Sequence, residues 1–395
     1  MAHEALDLAI VGGGLAGGLI ALTVRQQRPE LSLALVEAGE SFGGNHRWSW
    51  FEGDIGPAGE ALLAPFRKTV WTGGNDVRFP AYARRMAAEY RSLDSRDFDA
   101  GLRRELPQNA VYPGCRAAGI AADGVLLESG ERLVANAVID CRDAGPSPHL
   151  TGGWQVFLGQ HLRTAGPHGI ARPVIMDATV AQPGAYRFVY LLPLGPDEIF
   201  VEDTYYADSP TLDADLLRRR IANYAAAQGW QAELVHEETG VLPVITGGDF
   251  GAYRAALEQP GVALAGARGG FVHPLTSYTM PIAVRNALAI AGLAHLPGPA
   301  LANAVAARAT RHWADTEYYR LLARMLFDAA RPSERYRIFE RFYRLPEPLI
   351  ERFYAARSTP TDKARILSGK PPVPVGRALR AILGKGAPLA HIGKR

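Results

Sequence analysis

The feature that most constrains this 395-residue chain is a glycine-rich turn that joins an apolar strand to an apolar helix near the amino terminus. Residues 8–11 form a continuous apolar run typical of a strand buried in a parallel sheet, and residues 19–26 fit the helix that follows it. Between them, Gly12, Gly14 and Gly17 match the G-x-G-x-x-G spacing, in which glycines make the tight turn, admit a pyrophosphate and let the helix pack on the strand. The pattern predicts a dinucleotide-binding site, with the helix directing backbone N–H groups at the phosphates.

An acidic residue and a second glycine-rich turn follow the first turn. Residues 31–36 indicate a second strand, and the Glu37 that ends it lies where a carboxylate accepts hydrogen bonds from the ribose hydroxyls of adenosine. FAD proteins often use a second glycine-rich turn to hold the rest of a longer dinucleotide, so we predict FAD rather than NAD. The predicted cofactor contacts are Gly12, Gly13, Gly14, Leu15, Ala16, Gly17, Glu37, Ala38, Gly44, Asn45, His46 and, from a later segment, Gly266.

Composition and charge exclude several classes of protein. A hydrophobic fraction of 48% and a charged fraction of 21% are those of an ordinary globular protein, and a net charge of +3 gives no sign of nucleic-acid binding. The two cysteines, Cys115 and Cys141, make neither a disulfide framework nor a metal motif and suit a reducing cytoplasm, so we expect no metal site. Charged residues interrupt every long apolar stretch, and the first strand leaves no room for a signal peptide, so we expect neither a spanning helix nor secretion.

The middle of the chain changes from a parallel to an antiparallel pattern. Residues 111–142 predict a β-meander and another buried strand, whereas residues 80–106 predict an arginine-rich helical stretch. Residues 150–258 are rich in aromatic and β-branched side chains with turns between them, which predicts an antiparallel sheet in a substrate domain. Residues 46–51, with the sequence HRWSWF, fit either a wall of the core or a lining beside the flavin.

The carboxyl-terminal part of the chain has a helical pattern and is strongly basic. Aromatic residues alternate with arginines over residues 317–357, and no acidic residue follows Lys363. Such a surface fits contact with an anionic membrane, because aromatics lie at the headgroup level and arginines bind phosphates, but an ordinary helical cap with a basic tail fits equally well. We predict an FAD-binding domain of residues 1–149 and 259–298, a substrate domain of residues 150–258, and a helical, basic region of residues 299–395 that docks on a membrane.

Ten segments spread along the chain resemble those of bacterial lycopene β-cyclases, which are FAD-dependent enzymes of carotenoid synthesis. The resemblance runs from the first strand to Pro374, and its local departures include His161, Asp143, Leu275 and Ser277. The ten segments are DLAIVGGGLAG (7–17), GNH (44–46), VIDCR (138–142), WQVF (154–157), MDAT (176–179), FVEDT (200–204), GVLP (240–243), FVHP (271–274), RFYRLPE (341–347) and GKPPVP (369–374).

The resemblance implies an architecture and an activity. The expected fold is an α/β flavoprotein of the p-hydroxybenzoate-hydroxylase type, with a Rossmann-type FAD-binding domain, an antiparallel-sheet substrate domain and a helical carboxyl-terminal region. The expected reaction closes the linear ends of lycopene to β-ionone rings, giving β-carotene by way of γ-carotene, without net redox change but with FAD reduced by NAD(P)H. The expected location is the cytoplasm, at the inner face of the cell membrane, with lycopene, anionic lipid and other carotenoid-pathway enzymes as partners.

The resemblance also points to the catalytic residues. Cyclisation begins with protonation of an alkene, which requires a carboxylic acid that burial in a dry pocket keeps protonated. The acid of the family falls on Glu202, whereas the side chain of Asp203 points to the opposite face of the same strand. His273 is a candidate for the base that removes the final proton, although a histidine before proline in a turn is more often structural.

Two alternatives stay open on the sequence alone. A redox flavoprotein of the same fold, such as an FAD-dependent monooxygenase or a prenyl reductase, would share the cofactor site. Flavin hydroxylases usually carry a Gly-Asp pair where this chain has Gly266-Ala267, which counts against them. A membrane adaptor that binds FAD without catalysis would leave the two carboxyls at Glu202 and Asp203 without a use.

Overall fold

The computed structural model describes residues 5–369, 376–377, 380–381, 384 and 386–390. Its strands are β1 (Leu6–Val11), β2 (Leu33–Val36), β3 (Arg47–Phe51), β4 (Thr69–Trp71), β5 (Asn75–Phe79), β6 (Tyr82–Met86), β7 (Tyr90–Asp94), β8 (Val111–Tyr112), β9 (Ala117–Ala121), β10 (Gly124–Leu127), β11 (Arg132–Asp140), β12 (Ser147–Thr164), β13 (Val174–Asp177), β14 (Tyr186–Pro193), β15 (Glu198–Ala207), β16 (Ala232–Gly248), β17 (Val262–Leu264) and β18 (Pro388–Leu389).

The α-helices are α1 (Leu15–Gln27), α2 (Gly56–Leu63), α3 (Ser95–Glu105), α4 (Ala214–Ala227), α5 (Phe250–Leu257), α6 (Met280–Ala291), α7 (Gly298–Asp315), α8 (Glu317–Arg324), α9 (Tyr336–Phe342), α10 (Glu347–Tyr354) and α11 (Pro360–Leu367). Short 3₁₀ turns cover Glu52–Asp54, Gln108–Ala110, Gly266–Gly269 and Pro332–Glu334, and a π-helical turn covers Met325–Ala329.

The first sheet carries the glycine-rich turn. Its strand order is β8-β2-β1-β11-β10-β9, with β17 beside β11, and β1 pairs in parallel with both β2 and β11. The apolar run of β1 is buried on both faces: Leu8 and Ile10 belong to the core cluster that contains α1 and α6, while Ala9 and Val11 contact a second cluster that includes Val125 of β10. The parallel sheet, the antiparallel meander of β9 to β11 and the return of β17 to this sheet all agree with the sequence analysis.

The second sheet has a helix on one face and a cavity on the other. Its strand order is β16-β12-β15-β14-β13-β5-β6, with β18 beside β12, and β12 pairs antiparallel with both β15 and β16. On one face Leu158 and Val201 pack against Leu217 and Ile221 of α4. The expected antiparallel sheet is present and includes the long strand β16, but β5 and β6 join it from outside residues 150–258. The division into three domains stays a prediction.

A small third sheet, β3-β7-β4, shows that the expectation of a helical stretch over residues 80–106 is wrong in its first half. Strands β6 and β7 form there because pairing with β5 and β3 overrides the helical propensity of the sequence. Helix α3 begins only after Asp94, whose carboxylate accepts a hydrogen bond from the Arg96 N–H as the N-cap. In β3, Trp50 is buried in the core, as the first interpretation of residues 46–51 expects, while Trp48 lines the cavity. Contact of Trp48 with a flavin stays a prediction.

Helices α7 to α11 form the carboxyl-terminal region, and their aromatic rings face inward. Tyr319, Phe339, Tyr343 and Phe353 are buried in a cluster with the second sheet, and the other aromatic residues between 317 and 357 are at least partly buried. The expectation that these rings form a membrane-facing surface is therefore wrong, because packing on the sheet removes them from solvent. Most of the basic tail after Gly369 lies outside the described residues. In the described part of the chain, none of the helices combines the length and the apolar character needed to cross a membrane.

Candidate active site

The glycine-rich turn forms an open cradle at the amino terminus of α1. Gly12 has φ of +100°, and a side chain at Gly17 would place its Cβ 2.0 Å from the Gly12 carbonyl oxygen, so both positions require glycine. Around Gly14, by contrast, no atom other than those of Gly14 and its chain neighbours lies within 4 Å of the place that a Cβ would take. The free N–H groups of α1, which has no side-chain cap, face this open space and suit a phosphate.

The carboxylate of Glu37 is held at the end of β2. Its Oε2 accepts a hydrogen bond from the Gly13 N–H at 2.7 Å, and its Oε1 accepts one from the Gly39 N–H at 2.8 Å. These bonds fix the acid beside the glycine cradle and leave each oxygen a second lone pair for another donor. Contact with a ribose stays a prediction for Glu37.

One cavity of about 420 Å³ runs from the cradle to the second sheet. It brings together predicted residues that lie far apart in the sequence, namely Gly14, Leu15, Ala16, His46, Glu202 and Gly266. Thr279 and Met280, at the amino terminus of α6, line the same cavity. Burial lowers the pKa of His46, so its imidazole is neutral near pH 7.

Seven of the twelve predicted cofactor contacts lie outside the described lining of this cavity, namely Gly12, Gly13, Gly17, Glu37, Ala38, Gly44 and Asn45. Ala38 is exposed at the surface. The Asn45 side-chain N–H₂ donates to the Glu237 carbonyl oxygen at 3.0 Å, and the Asn45 amide oxygen lies 2.6 Å from the His236 ring nitrogen. Asn45 therefore fastens the second glycine-rich turn, in which Gly44 has φ of +63°, to β16. Their contact with a cofactor stays a prediction.

Glu202 presents its carboxyl to the cavity from β15. It lies opposite Tyr190 of β14 and Gly159 of β12, and the Thr204 hydroxyl donates a hydrogen bond to its Oε1. Although the cavity gives the side chain some access, protein surrounds the carboxyl, and this burial raises its pKa from 4.5 to about 7. Glu202 therefore retains its proton at pH values where an ordinary glutamate is ionised.

Asp203 points away from the cavity, as the alternation of side chains along a strand requires. Its side chain is fully buried on the α4 face of the sheet, where Arg187 Nη2 donates to Oδ2 at 2.6 Å and Arg187 Nε donates to both oxygens at 2.9 Å. The pair satisfies the charge of both side chains inside the protein. This geometry gives Asp203 a structural contact and no access to the cavity.

His273 is fully buried behind the cavity wall. Its Nε2 lies 3.0 Å from the Phe353 carbonyl oxygen, and its Nδ1 accepts from the Leu275 and Thr276 N–H groups at 3.3 Å. Burial lowers the pKa of His273 to about 3, and both ring nitrogens are occupied. The structure therefore supports the structural interpretation of this histidine rather than that of a base.

Glu238 is a cavity residue that the sequence analysis did not identify. It lies on β16 with only 5% of its surface exposed, and burial raises its pKa to about 8, with a further contribution from the Glu202 charge. In the sequence, the observation that could have drawn attention to Glu238 is that it lies two residues before the GVLP segment. Its position in the cavity depends on the pairing of β16 with β12, which composition alone does not reveal.

Aromatic side chains cover much of the remaining wall. The hydroxyls of Tyr190 and Tyr90 are 2.5 Å apart, and those of Tyr343 and Tyr354 are 2.6 Å apart, so each pair satisfies its polar atoms. Burial raises the pKa of Tyr90 well above 10, so the ring stays neutral. An aromatic wall facing a carboxyl with a raised pKa suits acid catalysis on an apolar substrate, with a cationic intermediate near the ring faces.

Some known proteins are similar to this chain in sequence, and others are similar to it in fold. The family model described as lycopene cyclase protein matches residues 7–380. The chain is 48% identical to the lycopene beta-cyclase of Pseudescherichia vulneris over 95% of this chain and 97% of that protein. It is 41% identical to the lycopene beta-cyclase of Pantoea ananas over 95% of this chain and 98% of that protein.

The fold is similar to that of the flavin-dependent brominase Bmp2, with a TM-score of 0.58 at 16% identity over 89% of this chain and 94% of the other. This likeness concerns the fold alone, and it confirms the expected α/β flavoprotein architecture. The family model and the sequence relatives confirm the resemblance found in the ten segments. The chain therefore belongs to the lycopene cyclase family.

Proposed function

We propose that this chain is a lycopene β-cyclase, which closes the linear ends of lycopene to β-ionone rings by acid catalysis without net redox change. The observation that carries the proposal is the place of Glu202 in a chain of the lycopene cyclase family. Its carboxyl faces an aromatic cavity, and burial raises its pKa to about 7. An acid that keeps its proton in an apolar cavity is what protonation of an unactivated alkene requires.

The proposed cofactor is FAD. The open space above Gly14, the uncapped amino terminus of α1 and the fixed carboxylate of Glu37 fit the pyrophosphate and ribose of an ADP moiety. Gly266 and Met280 line the same cavity and would border the flavin. When bound and reduced with NAD(P)H, FAD would supply negative charge that stabilises a developing carbocation.

Glu202 supplies the first proton in this proposal. Its carboxyl protonates C2 of the terminal C1=C2 double bond of lycopene, which leaves a tertiary cation at C1. The C5=C6 double bond then bonds C6 to C1 and moves the cation to C5. Loss of the C6 proton forms the C5=C6 double bond of the β-ring, so the product is an isomer of the substrate.

The cavity wall protects this cation from water. Tyr190 lies opposite Glu202 in the sheet, and Trp48 and Phe188 line the same cavity. Aromatic faces stabilise a nearby cation electrostatically and exclude water that would add to it. Asp203 and His273 have no step in this mechanism. Asp203 is held in an ion pair with Arg187, and both ring nitrogens of His273 bond to backbone groups.

The substrate dissolves in the bilayer, so we propose that the protein makes a peripheral contact with the inner face of the cell membrane, where other carotenoid-pathway enzymes would meet it. The support comes from α11, where Leu367 and the basic Arg365 are both exposed. Ile366 and Leu367 also border an apolar cleft between the carboxyl-terminal helices. Exposed apolar residues beside basic ones suit an anionic lipid surface.

Anaerobic turnover of lycopene tests the proposed function. The purified protein is incubated with lycopene in liposomes, FAD and NADPH, and is compared with Glu202→Gln and with Glu198→Gln. Glu198 lies on the same strand, is paired with Arg163 and is absent from the described cavity lining, so it is a matched control. We expect the parent and Glu198→Gln to form cyclic product and Glu202→Gln to form none while it still binds FAD.

Each other result has a definite meaning. If Glu202→Gln cyclises lycopene at the parent rate, Glu202 is not the acid. If the parent forms product only with oxygen, or forms a reduced product, the redox flavoprotein alternative is correct.

A further inference from the structure

Two carboxyls face the cavity from strands on either side of β12. Gly159 of β12 lies in register with Glu202 of β15 on one side and with Glu238 of β16 on the other. Residues in register across a sheet point to the same face, and both glutamates line the cavity. Because Gly159 has no side chain, the Phe200 ring packs over it, with its Cζ 2.3 Å from the place that a Cβ would take. The two carboxyls therefore share one apolar floor.

Glu238 is a buried acid that the mechanism above does not use. Its neighbour Glu237 points to the other face, where it pairs with Arg218 at 2.6 Å and accepts a hydrogen bond from Gln160. Among the residues that the structure describes, none forms such an ion pair with Glu238, which is instead directed at the cavity. Burying a carboxyl costs free energy, and such groups concentrate at functional sites, so this position calls for a role in the reaction.

We propose that Glu238 is the base that removes the C6 proton, so that Glu202 and Glu238 act as an acid–base pair. The proposal rests on the cyclase function proposed above. C2, which receives the first proton, and C6, which loses the last one, are both bonded to C1 of the closing ring. The base must therefore lie near the acid, and Glu238 shares the sheet wall with Glu202.

The two carboxyls have different neighbours, and the resemblance to the family rather than charge makes Glu202 the acid. Arg47 of β3 faces Glu238, and its guanidinium and backbone N–H favour the ionised form of that carboxyl, whereas the charges of Glu202 and of Asp94, which is paired with Arg47 at 2.7 Å, oppose it. Glu202 lies opposite Tyr190 in the sheet and accepts a hydrogen bond from the Thr204 hydroxyl. Burial raises the pKa of Glu202 to about 7 and that of Glu238 to about 8, so between these values the pair shares one proton, and its reactive form has that proton on Glu202.

The proton transfers balance within the pair. Glu202 gives its O–H proton to C2 and becomes a carboxylate. The electron pair of the C6–H bond becomes the new C5=C6 π bond, and the proton passes to a carboxylate oxygen of Glu238. Return of this proton to Glu202, directly or through solvent, restores the starting state without an oxidant or a reductant.

The products of Glu238→Gln test this role, because glutamine keeps the size of the side chain and removes the base. The C5 cation can also lose a proton from C4 or from the methyl group on C5, which gives rings with a displaced double bond. We expect the FAD-bound variant to cyclise lycopene about 100-fold more slowly and to form such rings beside β-rings. Glu237→Gln is the matched control and should form β-rings alone at the parent rate.

Other outcomes overturn the proposal. Parent-like rate and pure β-ring product from Glu238→Gln would show that another group is the base. If the variant loses FAD or unfolds, Glu238→Asp decides: β-ring product at a reduced rate supports the base, and activity no better than that of Glu238→Gln refutes it. Failure of the cyclase function itself is recognised separately, because the parent then forms no cyclic product.

Discussion

Replacing Glu202 by glutamine should make the protein more stable above neutral pH. In the unfolded chain this carboxyl ionises near its ordinary pKa of 4.5, whereas in the folded protein burial raises the pKa to about 7. Between these values the unfolded chain has released the proton that the folded protein retains, so the free energy of unfolding decreases as pH rises through this window. The pKa difference of about 2.5, at about 1.4 kcal/mol for each pKa unit, lowers the free energy of unfolding by about 3 kcal/mol above pH 7. Glutamine has no charge and avoids this loss.

Thermal unfolding of the FAD-bound proteins measures the effect. With an unfolding entropy of about 2.1 cal/mol/K for each of 395 residues, about 3 kcal/mol corresponds to a Tm difference of about 4 °C. We expect Glu202→Gln to melt about 4 °C above the parent at about pH 8.5 and only about 1 °C above it at about pH 5. Glu198→Gln is the control, because the Arg163 hydrogen bond lowers the pKa of Glu198 and its replacement should give no such gain.

The comparison between the two pH values is what can refute this reasoning. If the Tm difference between the parent and Glu202→Gln is the same at both, the carboxyl has an ordinary pKa in the folded protein. It would then be ionised at neutral pH and would lack the proton that the mechanism needs.

The cradle, the buried ion pair and the carboxyl pair give three more expectations. Gly14→Val should abolish FAD binding in a flavin titration, yet change the free energy of unfolding of the apoprotein by no more than about 0.5 kcal/mol, because the new side chain enters open space. Gly73→Val at an exposed turn is the control, and full retention of FAD binding by Gly14→Val would contradict the prediction. Asp203→Asn should lower the free energy of unfolding by about 3–5 kcal/mol in urea, because Arg187 keeps a buried charge without its partner, and a loss below about 1 kcal/mol would contradict this. The rate of cyclisation should be greatest between about pH 7 and 8, because the pair then holds one proton. Below that range both carboxyls are protonated and above it both are ionised, so a rate still rising at about pH 9 would count against the pair.

The cofactor cradle could be predicted from the sequence because its geometry depends on missing side chains. At Gly12 and Gly17 a side chain would clash with neighbouring backbone atoms, so the spacing of these glycines in the sequence predicts the turn. The opposite directions of Glu202 and Asp203 were equally predictable, since alternation along a strand is local geometry. Ser277, one of the departures from the family pattern, has φ of +54°, a conformation that favours glycine, and its hydroxyl donates to the Pro243 carbonyl oxygen.

The rest depends on contacts between distant segments. Glu238 could not be recognised as a cavity residue because its direction is set by the register of β16 on β12. Residues 82–94 have the alanines and arginines of a helix, but pairing with β5 and β3 makes them strands, so tertiary contacts outweigh local propensity there. The inward packing of Tyr343 and Phe353 likewise depends on the second sheet, which a pattern of aromatics and arginines does not reveal.

The mass of the product formed in D₂O tests most directly the claim that this protein cyclises lycopene by protonation without net redox change. The protein, equilibrated in D₂O with FAD and NADPH, is given lycopene in liposomes without oxygen. The account predicts a cyclic isomer of lycopene that carries one deuterium at C2 of each new ring. A product that has gained two hydrogen atoms or an oxygen atom, or a ring without deuterium at C2, would contradict it.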